Sequence, residues 1–200
     1  MSLDTVTVTN HRISNLLTAI LLFTIGCGGR IMLHDYPNFE TVMVSIFLAS
    51  MLLPLSMSFI VTISIILFSD IYLGYFGTSK IILFTYSGFL LVSFVTSKFK
   101  NHIKGDYSSN TVYKFSASGI IFAGIYDIWT NLGVFLLSYE LTFGNLILVY
   151  ILGIPFMIYH LLSSVITFTL LGFPLYYLFT TNNKNEYNIP TIKELKSQRN

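Results

Sequence analysis

From residue 12 onward the chain alternates long apolar stretches with short polar ones, and no sustained period of two marks a half-buried strand. A bilayer core of about 30 Å calls for roughly 20 mostly apolar residues per helix. On that measure the sequence predicts an all-α, polytopic bundle of six spans, at about 12–30, 39–53, 55–75, 80–98, 112–137 and 155–180. The second is the weakest, because it is short and runs straight into Pro54; a tilted or partly re-entrant helix is expected there. Pro155, after Tyr150-Ile151-Leu152-Gly153, predicts that 144–153 forms a separate short segment before the last span. The expected organisation is a transmembrane domain over 1–181 and a polar tail over 182–200.

Composition turns this pattern into a statement about solvent. The chain has 200 residues, of which 54% are hydrophobic and 10% charged, with a mean hydropathy of +0.71. A soluble domain carries about 25% charged residues, so this surface is not built for water. A net charge of +2 says nothing about nucleic acid, and with no basic patch interleaved with aromatics no nucleic-acid partner is expected. Cys27, the single cysteine, makes neither an internal disulfide nor a thiolate metal site, and no cofactor is expected. The run 13–29 after His11 and Arg12 has the outline of a signal peptide. More apolar runs follow it, however, which favours an uncleaved first span.

Lysine and arginine set the expected orientation. Lys98, Lys100, Lys104 and Lys114 surround the loop after span four, and Lys184, Lys193, Lys196 and Arg199 lie in the tail. These regions flank the last helix pair, so both fall on the cytoplasmic side of a plasma membrane, with both termini inside. In the tail, Thr191 and Glu194 have capping-box spacing, enough for a turn or two of helix.

Few polar residues interrupt the spans, and each one deep in a bilayer costs about 2.5–3.5 kcal/mol on insertion scales. They are Asp70, ending an uncharged run from Leu55; Asp127 and Asn131, one helical turn apart; and His160. Arg30 ends span one, and Asn38 and Glu40 begin span two. All fall toward the non-cytoplasmic side, as a solute pocket open to the outside requires. Plainer roles stand beside that one: Asp70 solvated at the interface or capping the turn before Gly74, Asp127 paired with Arg30 or Lys80 as helix glue, His160 in an interhelical hydrogen bond. Small residues in Ser116–Gly124 serve close helix approach, and most aromatics form an interfacial belt. Enzyme templates fail: there is no HExxH, no GxSxG, no phosphate-binding glycine loop and no magnesium-holding carboxylate pair. No catalytic residue is expected.

The order "HDYPNFETV", "LPLSMS", "SDIYLGYF" and "YDIWTNLGVFLLSYELTFGNLILVYILGIPFMIYHLLSS" resembles a family of uncharacterised membrane proteins classed with transporters. That family is similar to the substrate-binding S components of energy-coupling-factor vitamin transporters. The likeness runs from about Arg30 to Pro174, through Pro37-Asn38-Phe39, Ser69-Asp70 with Leu73-Gly74, Thr130-Asn131 and Gly153–Phe156. It implies a six-helix S-component-like bundle that captures a small solute, such as a vitamin or its precursor, with a coupling membrane subunit and two ABC-type ATPases as partners. In such a reading Arg30, Asn38, Glu40, Asp70, Asp127, Asn131 and His160 line the pocket. Arg30 would meet an anionic group of the solute, and Trp129 or Tyr72 would stack on a ring. S components dock through small residues spaced AxxxA on the first helix. Here Ala19 is followed four residues on by Phe23, with Gly26, Gly28 and Gly29 later in the span. A scaffold or accessory subunit is the alternative, followed by an intramembrane enzyme using Asp127 and His160.

Overall fold

The computed structural model describes residues 3–36 and 41–187, and they are all-helical. Helix α1 spans Leu3–Met32, α2 Val42–Leu52, α3 Leu55–Leu73, α4 Ile82–Ile103, α5 Ser109–Ser138 and α6 Phe143–Thr167. A π segment, Phe168–Gly172, joins α6 to α7, Phe173–Tyr187. Five of these stretches are long and apolar enough to cross a membrane: Arg12–Met32, α3, α4, α5 and Phe143–Thr181.

The weak second span is a different object. Every residue from Val42 to Met51 is buried, and α2 packs against α1, α3, α4, α5 and the π segment. A helix apolar on all sides belongs in the middle of a bundle. At about 1.5 Å per residue its 11 residues reach roughly 16 Å, half the bilayer core. Phe47 of α2 is the hub, its ring 5.3 Å from Phe115 and 4.8 Å from Phe168. By contrast the outward faces carry exposed Leu17, Ile60, Ile121 and Ile151, a surface suited to lipid.

Contacts fix the direction of each helix. Arg30 near the end of α1 meets Asp70 near the end of α3, while Thr41, just before α2, donates to the Ile25 carbonyl at 2.7 Å. At the other end of α2, Ser50 bonds Ser58 of α3 and Ser93 of α4. Phe84 near the start of α4 fills the space beside Gly133 near the end of α5. Tyr107, in the loop after α4, packs its ring on Phe173 and Tyr177. Successive helices therefore alternate, and the lysine-bearing loop, the start of α1 and the end of α7 share one end.

One boundary differs from the expected ones. Pro155 does not separate a short segment; it lies inside α6. Proline removes one backbone bond and crowds the preceding turn, but breaking a helix in lipid would strand several more polar groups. The helix passes through, with Pro155 on its exposed side. Pro174 is accommodated by the wider π turn ahead of it, where the Phe173 N–H reaches back to the Phe168 carbonyl. Helix α7 continues to Tyr187, while the apolar stretch long enough to cross a membrane ends at Thr181. The capping-box pair Thr191 and Glu194 lies outside the described residues.

Candidate functional site

Helix α3 ends in a turn that positions Asp70. Gly74 adopts a left-handed conformation (φ 75°), open to glycine without strain. The Tyr75 and Phe76 N–H groups then fold back onto the Asp70 carbonyl at 2.8 and 3.2 Å. The side chain, 4% exposed, points into the bundle, so Asp70 is neither solvated at the interface nor itself a cap. Its Oδ1 lies 2.8 Å from Arg30 Nη1, and the same nitrogen donates to Ser69 Oγ at 2.9 Å. The Arg30–Asp70 contact is an ion pair without hydrogen-bond alignment, which leaves Oδ1 able to accept a better-aimed donor. The Tyr86 hydroxyl of α4 faces this carboxylate, buried and without an aligned hydrogen bond. A cleft of about 220 Å³ opens beside the pair, walled by Tyr75, Thr78, Ser79 and Thr85.

A second pair lies between α5 and α6. His160 Nδ1 is 2.6 Å from Asp127 Oδ1, a short, direct contact between ring and carboxylate. Asp127 is 5% exposed, and its Oδ2 is buried with no hydrogen-bond partner. The Tyr126 ring packs edge-on to the imidazole, centroids 6.0 Å apart. Asn131, one turn further along α5, turns toward Gly153 of α6. A Cβ there would stand 2.7 Å from both terminal atoms of the amide, so glycine is what admits the side chain. Asn131 borders an apolar groove of about 460 Å³ lined mainly by Ile128, Ile147, Tyr150, Ile154 and Met157. The Tyr150 hydroxyl is engaged, donating to the Ile128 carbonyl at 3.0 Å.

The residues expected to form one pocket are thus seated as two groups. Arg30 and Asp70 sit among α1, α3 and α4; Asp127, Asn131 and His160 sit at the α5–α6 contact. Asn38 and Glu40 lie outside the described residues. The partner expected for Asp127 as helix glue, Arg30 or Lys80, is His160 instead. Trp129 does not stack over a cavity: its indole donates to Ser87 at 2.9 Å and packs on Phe84. Tyr72 is 72% exposed on the outer face of α3. Sequence reasoning missed Ser69, Tyr75 and Tyr86 as site residues, although the adjacent pair Ser69-Asp70 carried a signal.

Of the two glycines in 116–124, Gly119 serves close helix approach, while Gly124 has open space beside it. A Cβ at Gly119 would lie 2.8 Å from the Phe168 ring. Gly26 is packed on Ile65 and Ser45, and Gly29 on Thr41, so both are spent inside the bundle.

The fold and its lipid-suited surface define a membrane-spanning helical protein. The chain belongs to a family of unknown function, DUF6580, whose model matches residues 8–188. Neither the curated proteins nor the solved structures give a match.

Proposed function

We propose that this protein is a solute-binding membrane subunit of an uptake transporter, of the S-component type, with its binding site at the Arg30–Asp70 cleft. One observation carries the reading: Asp70, with its buried Oδ1 lacking an aligned hydrogen bond, adjoins an opening from the surface, and the buried Tyr86 hydroxyl faces the same carboxylate from behind. Buried polar groups are ordinarily satisfied, and a solute bearing both a donor and an acceptor would complete these two. Because Arg30 and Asp70 already neutralise each other, the site suits a neutral or zwitterionic polar edge better than a bare anion. Solute sites usually occupy about 300–1,000 Å³. A vitamin-sized guest therefore requires the α3–α4 loop, which supplies Tyr75, Thr78 and Ser79, to move outward.

This reading assigns no catalytic residue. Active uptake would come from a coupling membrane subunit and ABC-type ATPases, meeting the outward face of α1. Leu17 and Ile20 are exposed there, and Gly28 has open space beside it. The lysine end would face the cytoplasm of a plasma membrane. A cysteine at Ser109 should then resist an impermeant label in intact cells, and strong labelling would reverse the orientation.

The test is mass spectrometry of small molecules that copurify with the protein, followed by thermal unfolding with and without the one found. Thr85→Phe fills the cleft while leaving the ion pair intact, and should abolish both copurification and stabilisation. A second reading rests on the pairs themselves: Arg30–Asp70 and Asp127–His160 join helices as the polar glue of a scaffold would. Absence of any copurifying solute, or retention of it by Thr85→Phe, selects that reading.

A further inference from the structure

At the lysine end, α4 and α5 diverge around an apolar groove of about 330 Å³. Its α4 wall is Val92, Thr96, Phe99 and Ile103, and its α5 wall includes Ser118 and Ile121. Phe99 and Ile121 are 57% and 60% exposed, so the groove opens sideways toward lipid rather than inward. Two lysines stand at its mouth. Lys100 is one turn beyond Thr96 on the same stripe of α4. Lys114 is one turn before Ser118 on α5, its carbonyl accepting from Ser118 Oγ at 2.7 Å. The antiparallel register set by Phe84 against Gly133 and Gly88 against Trp129 continues to bring Lys114 level with Ile103. Both lysines are half-buried, and Lys104 adds a like charge one turn from Lys100. Among the described residues no carboxylate pairs with Lys100, Lys104 or Lys114.

An apolar slot open to the bilayer, capped by cations without counter-charges, is complementary to one kind of molecule. We propose that the α4–α5 groove binds an anionic phospholipid, one acyl chain in the slot and the phosphate between Lys100 and Lys114. Long lysine stems allow the ammonium groups to reach the headgroup level while their methylenes cover the groove wall. The site is separate from the Arg30–Asp70 cleft and does not depend on what that cleft holds.

The experiment uses the full chain in micelles titrated with phosphatidylglycerol or with phosphatidylcholine of the same acyl chains, read by thermal unfolding and by quantified bound lipid. Phosphatidylglycerol should stabilise the parent and be retained preferentially. Lys100→Gln with Lys114→Gln should weaken that preference about twenty-five-fold, each lysine near a lipid surface contributing roughly five-fold. Lys98→Gln is the control for diffuse charge. Lys98 points to another face of α4, its ammonium 5.3 Å above the Phe94 ring, and its loss should have less than half the effect of Lys100→Gln. Ser118→Phe fills the slot while keeping both lysine ammonium groups and should release the lipid. Should Ser118→Phe fail to fold, the parent decides the acyl part: glycerol phosphate at the same phosphate concentration should not stabilise it. Equal retention of the two lipids, an equal effect of Lys98→Gln, or equal stabilisation by glycerol phosphate would each overturn the proposal.

Discussion

Both ion pairs are buried to a similar degree, yet they are chemically unlike. In the first, the cation is a guanidinium that keeps its charge at any pH of interest, and the anion sits at a turn beside an opening in the surface. In the second, the cation is an imidazole that can give its proton to the carboxylate, and the pair is held between two long helices. Arg30 in the first pair cannot shed its charge, so removing Asp70 takes a carboxylate partner from a permanent cation. The second can become neutral without moving an atom other than hydrogen. A fixed charge pair at a cleft suits recognition; a neutralisable pair between helices suits packing.

The largest effect expected from this difference is at Asp70. Asp70→Asn takes the Asp70 carboxylate away from Arg30, and breaking a buried pair this way costs up to about 3–5 kcal/mol. Thermal unfolding in detergent should show it as a large loss of stability. Replacing both partners, Arg30→Met with Asp70→Leu, should recover most of that loss, since apolar replacements of buried pairs are often neutral. If Asp70→Asn alone is harmless, Arg30 does not depend on that carboxylate.

His160→Leu should cost less, about 1–3 kcal/mol, because Asp127 can then take up a proton and be left only with unmet hydrogen bonds. Asp127→Asn should cost less still, since its amide oxygen can accept from the Nδ1–H of a neutral imidazole. A loss at His160→Leu as large as that at Asp70→Asn would show that the second pair is also held charged, and the contrast between them would disappear.

How far the sequence disclosed these features depends on the kind of signal each one leaves. The apolar spans follow from composition and length alone, and Pro54 marked α2 as short before its burial was known. Pro155 was misleading because proline's local penalty is visible in sequence, whereas the cost of breaking a helix in lipid is not. Asp127 and His160 were both recognisable as candidates. Their pairing was not, because it depends on how far α5 and α6 rotate about their own axes, a quantity set by contacts such as Asn131 against Gly153. Tyr86 left no signal, since one tyrosine among many aromatics does not reveal that its hydroxyl faces an acid. The hydroxyl triangle of Ser50, Ser58 and Ser93, with oxygens 2.8–3.0 Å apart, was equally hidden. Each serine is unremarkable in its own helix, and only the junction of α2, α3 and α4 brings them together.

The smallest effect on stability, and the most telling for function, is expected at Tyr86. Its hydroxyl is buried without an aligned hydrogen bond, so Tyr86→Phe removes a group that contributes little to holding the empty protein together. Stability should change by less than about 0.5 kcal/mol, against the 0.5–1.5 kcal/mol typical of losing a formed hydrogen bond. If the cleft receives a solute, the hydroxyl acquires a partner only on binding, and the same substitution should weaken the copurifying molecule by about three- to ten-fold. Asp127→Asn, at the other pair, should leave that affinity unchanged. A stability loss above about 1 kcal/mol in Tyr86→Phe would mean that the hydroxyl already bonds Asp70 in the empty protein. The first pair would then be as self-sufficient as the second, and the cleft would have no unmet group to offer a solute.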